Sequence, residues 1–426
     1  MADAPTAQAG APAGFLRADP KLLGFGLSAA FASSFGQTYF IALSGGEIRA
    51  AFELSHGGFG ALYSLATLAS AGALIWTGKL IDKLDLRLWT AAIVFGLAAA
   101  CALMSRAESL LLLGLALFML RHFGQGLLSH TGATSLARYF TAGRGRAVGI
   151  GGLGYPLGEA VFPLAAVAVM AWAGWREMWL LCAAVMLVGF LPAQLALLGG
   201  HGARQRRFLE RMAAEERADA AAGGDGRNRA GGSWTRAQVL RDPRFYLVLP
   251  AVLAPSFIIT GIFFHQVHLV AVKGWSMTAY SAAFVAYAAA TAPAGLAYGA
   301  LIDRIGAARS LPYFLPPMAV ACVLLALGEH WLTIWLFMAV AGANAGMTQT
   351  LSSALWAEVY GVRHLGAIRA LTTALMVFST AASPAALGLL IDAGVTMRTI
   401  LLLCAGYAIL GVGLSILGRG RYARAA

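Results

Sequence analysis

Charged residues are scarce in this chain. Asp, Glu, Lys and Arg make up 12% of its 426 residues, whereas hydrophobic residues make up 59%. Soluble domains have about 25% charged residues, so this chain has too few charges to cover a water-exposed surface. The apolar residues form unbroken runs of about 20, the length that a helix needs to cross the ~30 Å hydrocarbon layer of a membrane. The sequence therefore predicts an all-α membrane protein, and it lacks the ten-residue alternation typical of a membrane barrel.

Motifs for several kinds of chemistry are also missing. No phosphate-binding G-x-x-x-x-G-K-[ST] loop occurs, which argues against an ATP-driven pump. Neither a Ser/His/Asp arrangement nor a set of metal ligands with usable spacing is present, so we predict a protein that is not an enzyme and has no cofactor or metal. The four cysteines lie in apolar runs without CxxC spacing, which predicts packing roles rather than disulfides: Cys101, Cys182, Cys322 and Cys404.

Twelve apolar runs are present. They span approximately residues 21–46, 57–78, 87–104, 109–136, 146–171, 177–198, 245–271, 277–300, 310–327, 331–356, 367–391 and 397–417. The longest interruption is polar, too short to be a signalling domain, and contains a Gly-rich stretch at 223–229 and a possible surface helix at 204–219. The predicted organisation is a tail at 1–20, a six-helix half at 21–198, a linker at 199–244, a second six-helix half at 245–417 and a tail at 418–426.

Positive charge is distributed unevenly between the predicted loops. Of 31 Lys and Arg residues, 25 lie in the tails and the loops on one side, five lie on the other side, and Arg121 lies inside a helix. This asymmetry follows the positive-inside rule and places both termini in the cytoplasm. No soluble basic face exists for nucleic acid, despite the net charge of +12. We expect a monomer in the lipid bilayer of a bacterial inner membrane.

Two loops repeat one another. The sequence GKLIDK at 78–83 reappears as GALIDR at 299–304, an offset of 221 residues, each time between the second and third helices of a half. A second pair of similar stretches, at 143–147 and 366–370, has an offset of 223. Similar offsets indicate duplicated halves, an organisation known among secondary transporters.

The whole chain resembles the major facilitator superfamily. The repeated loops are similar to its G-x-L-x-D-[RK]-x-G-[RK] signature, and Arg121 precedes a glycine-rich stretch that is close to the pattern of its helix 4. The resemblance implies two pseudo-symmetric halves and solute transport by alternating access, driven by protons or by exchange. The stretches at 263–266 and 361–369 are similar to those of bacterial monocarboxylate and oxalate/formate carriers, which implies a small organic anion as substrate. The alternative is an efflux carrier for amphipathic compounds.

The repeated loops predict a cytoplasmic gate. Glycine permits close helix approach, and an aspartate is favoured beside the N-terminus of a neighbouring helix. In the superfamily's architecture, helix 11 begins near Asp82 and helix 5 near Asp303, so each half would clamp the other until the protein opens inward. The alternative is a pair of tight turns with solvated charges. The predicted gate residues are Gly78, Asp82, Lys83, Gly299, Asp303 and Arg304.

Arg121 and Glu159 are the charges that we place deep in the bilayer, where an ionised group is costly. Each lies 12 residues, or about 18 Å, from the outer end of its helix, which predicts an ion pair that acts either as a proton switch or as a static bridge. Polar residues in helices 1, 7 and 10 predict a cavity wall, although amides in membranes more often join helices. The predicted coupling or substrate residues are Arg121, Glu159, His265, Gln266, His268, Gln37, Tyr39, Asn344 and Gln349.

Overall fold

The computed structural model describes residues 19–140, 143–221, 234–361 and 363–422. Within these ranges the regular secondary structure is helical throughout, and no strand occurs. The predicted tail residues 1–18 and the Gly-rich linker residues 223–229 lie outside the described residues. The prediction of an all-α membrane protein is confirmed.

Twelve helical segments of the described chain correspond to the twelve predicted runs, and we label them in chain order. They are α1 (Pro20–Ala32, continued through short segments to Gly45–Ala51), α2 (His56–Asp82), α3 (Leu86–Arg106), α4 (Leu110–Tyr139), α5 (Arg144–Ala173), α6 (Trp175–Leu197), α7 (Pro243–Phe264, continued by Gln266–Val272), α8 (Met277–Ile305), α9 (Ala307–Leu327), α10 (Leu332–Tyr360), α11 (Leu365–Asp392) and α12 (Met397–Gly418).

Ten of these described helices are long and apolar enough to cross a membrane by composition alone, and α1 and α10 are the two that differ. The α1 chain is broken in its middle, where Ser33–Gly36 forms a 3-10 turn and Gln37 is extended, with a ψ of 150°. The 29 residues of α10 include polar side chains at Asn344, Thr348 and Gln349, which lower its hydropathy. The α1 exception therefore arises from irregular backbone and the α10 exception from polar side chains. Membranes tolerate irregular backbone only where it is buried in protein or lines a cavity.

The helices form two halves, α1–α6 and α7–α12, with the helix His201–Ala221 following α6. Each half has six crossings, so the start of α1, the end of α6 and the end of α12 lie on one side, which we call the terminal face. Contacts place the start of α1 beside the end of α6: Asp19 pairs with Arg204 just after α6, and Gly24 packs against Leu197. We call the other side the opposite face.

The break in α1 packs tightly against α4. A Cβ atom added to Gly36 would lie 2.2 Å from the carbonyl oxygen of Leu120, and one added to Gly124 would lie 2.8 Å from the Cα of Gly36. At the same level α4 contains a π-helical segment, Leu120–Leu128, in place of ordinary α-helix. Glycine is needed here because the two backbones touch, leaving no room for a side chain.

The Gly36 contact gives a test of the packing. We expect Gly36→Ala to lower the free energy of unfolding by about 1–3 kcal/mol, the usual cost of overpacking a close contact. The matched control is Gly72→Ala in α2, where nothing lies within 4 Å of the added Cβ and alanine favours the helix. Thermal unfolding in detergent measures both variants. Equal melting temperatures for the two would contradict the α1–α4 contact.

Candidate functional site

A cavity of ≈ 370 Å³ lies between α5 and the second half. This volume is within the range of small-molecule sites, about 300–1,000 Å³. The first half contributes α5, and the second half contributes residues of α7 to α11. The residues that line it are Gly152, Tyr155, Pro156, Glu159, Pro255, Ser256, Ile259, Tyr287, Thr291, Met318, Ala341, Asn344, Ala345, Thr348, Gln349, Ser352 and Met376.

Glu159 is the one acid or base in that lining, if the tyrosines are set aside. Its side chain is partly exposed to the cavity, and its carboxylate has no hydrogen bond or ion pair with any described residue. Tyr39 of α1 and Tyr287 of α8 lie near enough for its charge to act on their hydroxyl groups. The carboxylate is therefore free to take a ligand or a proton.

Two other polar groups of the cavity are buried without a hydrogen-bond partner. The Asn344 Nδ2 atom donates to the backbone oxygen of Phe314 at 2.5 Å, which fixes the amide and leaves Oδ1 buried without a partner. The Thr348 hydroxyl is also buried without a partner. The side chain of Gln349 is exposed and also lines the adjoining space towards the terminal face. Three of the predicted site residues, Glu159, Asn344 and Gln349, thus meet in one cavity.

A second, larger cavity of ≈ 940 Å³ adjoins the first between α5 and α8. The two share Gly152, Pro156, Thr291 and Gln349. The larger cavity reaches the ends of α5 and α8 on the terminal face, where Arg146 and Asp303 line it, together with Gly299. The lining of the two cavities therefore extends from the terminal-face ends of α5 and α8 to Glu159, and we call this the path to Glu159.

Arg121 is directed away from this path. Its Nη1 atom donates to the backbone oxygen of Gly36 at 3.0 Å, and its guanidinium lies 5.4 Å from the centre of the Tyr63 ring. The side chain is 3% exposed, and Nε is buried without a partner. The predicted ion pair with Glu159 is wrong for this conformation: Arg121 donates to Gly36 of α1, whereas Glu159 lines the cavity.

The remaining predicted site residues lie at the break in α1 or near the opposite face, outside the cavity. Gln37 forms the extended turn of α1, and the backbone oxygen of Tyr39 accepts a hydrogen bond from Gln266 at 2.7 Å. The Nε2 atom of His265 donates to the backbone oxygen of Pro384 at 3.0 Å. His268 packs against His56, which belongs to the first half, with ring centroids 4.4 Å apart. Gln266 and His268 therefore contact the first half in this structure, whereas His265 is bonded within the second half.

A seam between α2 and α11 closes the opposite face. The carboxylate of Asp392 accepts hydrogen bonds from the backbone nitrogens of His56 at 3.0 Å and Gly57 at 2.7 Å, across the two halves. Farther along, the Gly60 backbone touches Pro384, and Ser64 donates to the backbone oxygen of Ala381. An aspartate at a helix N-terminus is favoured by the exposed N–H groups and the helix dipole. His56 and Asp392 were not among the predicted site residues. The sequence does signal both positions, because Ser55 is an N-cap at the start of α2 and Asp392 ends the apolar run of α11.

The two repeated loops differ from one another in their contacts. Asp82 forms an ion pair with Arg138 of α4, within its own half. At the corresponding end of α10 the second half has Glu358, whose carboxylate accepts from the Ala307 nitrogen at 2.5 Å and so caps α9. Asp303 and Arg304 are exposed on the terminal face, as is most of Lys83; the Cβ sites of Gly78 and Gly299 lie 3.6–3.8 Å from their nearest neighbours, in ordinary contact. This is the arrangement expected after the predicted clamp has opened.

Known proteins resemble this chain in sequence pattern and in structure. A family model described as Major Facilitator Superfamily matches residues 26–284 and 252–424. A solved structure, of a bacterial homolog to the human lysosomal transporter Spinster in an inward-facing and unoccupied conformation, is similar with a TM-score of 0.65. Its sequence is 12% identical, and the match covers 95% of this chain and 98% of that chain, so the likeness supports the fold alone. No curated protein matches in sequence.

The separation of Arg121 from Glu159 is testable by a double-mutant cycle. Arg121→Met should cost about 1–3 kcal/mol of unfolding free energy, because it leaves the Gly36 oxygen buried without its donor. Glu159→Gln should cost little, since no partner is lost. The effects should add within about 0.5 kcal/mol, as they do for residues without shared partners.

A cycle on Arg204 and Asp19, which are joined by two hydrogen bonds of 2.5 and 2.9 Å, is the positive control and should show coupling. Unfolding in detergent supplies the seven free energies that the two cycles need, because they share the unmodified protein. A coupling between Arg121 and Glu159 as large as that of the control pair would restore the ion pair that the sequence predicted.

Proposed function

The chain belongs to the Major Facilitator Superfamily and is a transporter rather than an enzyme, and we propose that it moves a small organic solute across the membrane by alternating access, coupled to protons or by exchange. The observation that carries this proposal is the asymmetry of the space between the halves. The path to Glu159 is open at the terminal face, whereas hydrogen bonds from Asp392 close the opposite face. A carrier caught with one side open and the other sealed has the two-gate geometry that alternating access requires.

The orientation in the membrane follows from charge. The loops and tails of the terminal face carry 25 of the 31 basic residues, which favours the cytoplasmic side for that face. The cavity would then face the cytoplasm in this structure, and the chain would be a multi-pass protein of a bacterial inner membrane with both termini inside. We infer further that it acts as a monomer, because each chain contains both halves of the path.

The lining of the cavity bears on the substrate class. A small organic anion, such as a monocarboxylate, would need a cation on the cavity wall, and Arg121 is held by Gly36 and Tyr63 outside it. The wall instead contains aromatic and thioether side chains beside a few polar groups. These features favour the second candidate that the sequence left open, an amphipathic compound. The apolar members that carry this inference are Tyr155, Tyr287, Met318 and Met376.

The repeated loops supply the gate for the open side. In the alternate state the terminal face must close, and Asp82 and Asp303 are placed at the ends of α2 and α8 where the two halves would meet. We propose that each carboxylate then contacts the N-terminus of a helix in the other half, as Asp392 now contacts α2. Each state is thus held by an aspartate at one face.

This arrangement predicts opposite shifts for opposite gates. Asp82→Asn and Asp303→Asn should favour the structure described here, whereas Asp392→Ala should favour the alternate state. Reporters are Leu296→Cys on the larger cavity and Val267→Cys beside His56 at the closed opposite face, with the four native cysteines replaced by alanine. We expect maleimide labelling rates to change by roughly two- to tenfold, since each loss removes about 1 kcal/mol of charged hydrogen bonding.

The control for charge removal is Glu210→Gln on the connecting helix, whose side chain is exposed and makes no contact with another half. It should leave both labelling rates unchanged. Shifts of the same sign at both reporters in all variants would indicate general loosening of the fold. That result would argue against two alternating gates.

Transport itself is measured in proteoliposomes with an imposed pH gradient. Labelled lactate and formate would be offered in one series and a fluorescent amphipathic dye in another. We expect gradient-dependent movement of the dye, abolished by an uncoupler, and no accumulation of the two monocarboxylates. Accumulation of either monocarboxylate would return the substrate class to the small organic anions.

A further inference from the structure

We propose that the solute carries a positively charged group, best a protonated amine on an apolar body, and that it exchanges with a proton at Glu159. This inference deepens the proposed function and depends on it. It begins from the chemistry of the 370 Å³ cavity, where one ionisable acid stands without a partner among the described residues. A ligand for this cavity must suit that acid.

The distribution of donors and acceptors points to a cation. Glu159 offers two carboxylate oxygens at the cavity wall, and behind them lies the buried, unpartnered Oδ1 atom of Asn344, whose amide nitrogen is held by Phe314. An ammonium group has three N–H donors and no acceptor, so it fits such a set of oxygens. A carboxylate in the same place would face the charge of Glu159 at close range and find no cation in the lining of the described cavity.

The surroundings of Glu159 supply no competing charge. Tyr39 of α1 and Tyr287 of α8 lie near enough for its charge to act on their hydroxyl groups, and Tyr155 lies on its own helix. The residues that line the cavity from α7, α9, α10 and α11 are uncharged. Arg146 and Asp303 lie at the terminal end of the larger cavity and form the nearest charges on the path.

Exchange follows from the cost of charge inside the membrane. A carboxylate paired with a bound cation, or one that has taken a proton, presents no net charge, whereas an empty ionised carboxylate does. Closure of the terminal face around an empty ionised Glu159 is therefore disfavoured. The balanced step is the protonated carboxyl releasing one proton as the cationic solute binds, and taking one proton when the solute leaves. Both occupied forms can cross between states, but the empty ionised form cannot.

The sharpest probes are two molecules with one body and opposite charges. Naphthylmethylamine is protonated at neutral pH, whereas naphthoate carries a carboxylate on the same ring system. Their fluorescence allows equilibrium binding to be measured on the full-length protein in detergent. We expect binding of naphthylmethylamine to exceed that of naphthoate by at least about tenfold. Equal binding, or a preference for naphthoate, would overturn the assignment of a cation site.

Glu159 is then tested by substitution and by pH. Glu159→Gln should weaken naphthylmethylamine binding by about tenfold or more, and Glu159→Asp should retain part of it. Because the amine stays protonated between pH 5 and 8, weaker binding to the unmodified chain at low pH reports competition by a proton at the protein. That pH dependence should vanish in Glu159→Gln. Glu210→Gln is the matched control and should change neither affinity nor pH dependence.

Proton release gives an independent reading. In weakly buffered solution, saturating naphthylmethylamine should release up to one proton per protein molecule from the unmodified chain and none from Glu159→Gln. Melting temperatures and gel-filtration profiles of the variants establish that each is folded. Undiminished binding by a folded Glu159→Gln would overturn the proposal, as would amine binding without proton release at a pH where affinity is rising.

The proposal and the function beneath it fail in different experiments. If Leu296→Cys and Val267→Cys report alternating gates but the amine does not bind at Glu159, transport stands and the cation assignment falls. If the amine binds with proton release but neither reporter responds to the gate substitutions, the site stands and alternating access falls.

Discussion

A backbone carbonyl without a hydrogen-bond partner is costly inside a membrane, and the first half of the molecule is arranged around one such group. Because α1 unwinds at Gln37, the oxygen of Gly36 needs a donor that its own helix does not supply. Arg121 reaches it from α4 at 3.0 Å, and glycines at the contact let the two backbones approach. The broken helix and the buried arginine therefore stabilise each other, and neither is expected without the other.

This use of Arg121 leaves the cavity with a single kind of charge. A guanidinium that satisfies α1 and lies over Tyr63 is not available to a solute, so the free carboxylate of Glu159 sets the electrostatic character of the site. The division is also unequal between the halves. In the first half, Arg121 holds α1 and α4 together, whereas the second half contributes most residues of the cavity lining. Duplicated halves have thus taken different roles while keeping the same helix order.

The helices were accessible from sequence because crossing length and apolar composition are set by the thickness of the bilayer. The direction in which each side chain points around its helix axis could not be predicted, because the break in α1 and the π-helical turn at Leu120–Leu128 change which side chains face one another. Asn344 and Gln349 line a cavity in the structure, whereas His265 and Gln266 bond to other helices. The sequence does not distinguish these cases, because an isolated polar residue in an apolar helix can bind either a solute or a neighbouring helix.

The position of the α2–α11 seam determines how far a small rotation of the two helices displaces their other ends. Its polar contacts lie at one end of helices that are 27 and 28 residues long, or about 40 Å at 1.5 Å per residue. A rocking of about 10° around such a pivot moves the far end by roughly 7 Å, enough to admit or shut out a small molecule. The seam therefore lies at the pivot of such a rotation, far from the ends that move most. Sub-ångström changes in packing where Gly60 meets Pro384 would be magnified at the terminal face, so substitutions at this contact should alter the width of the opening there.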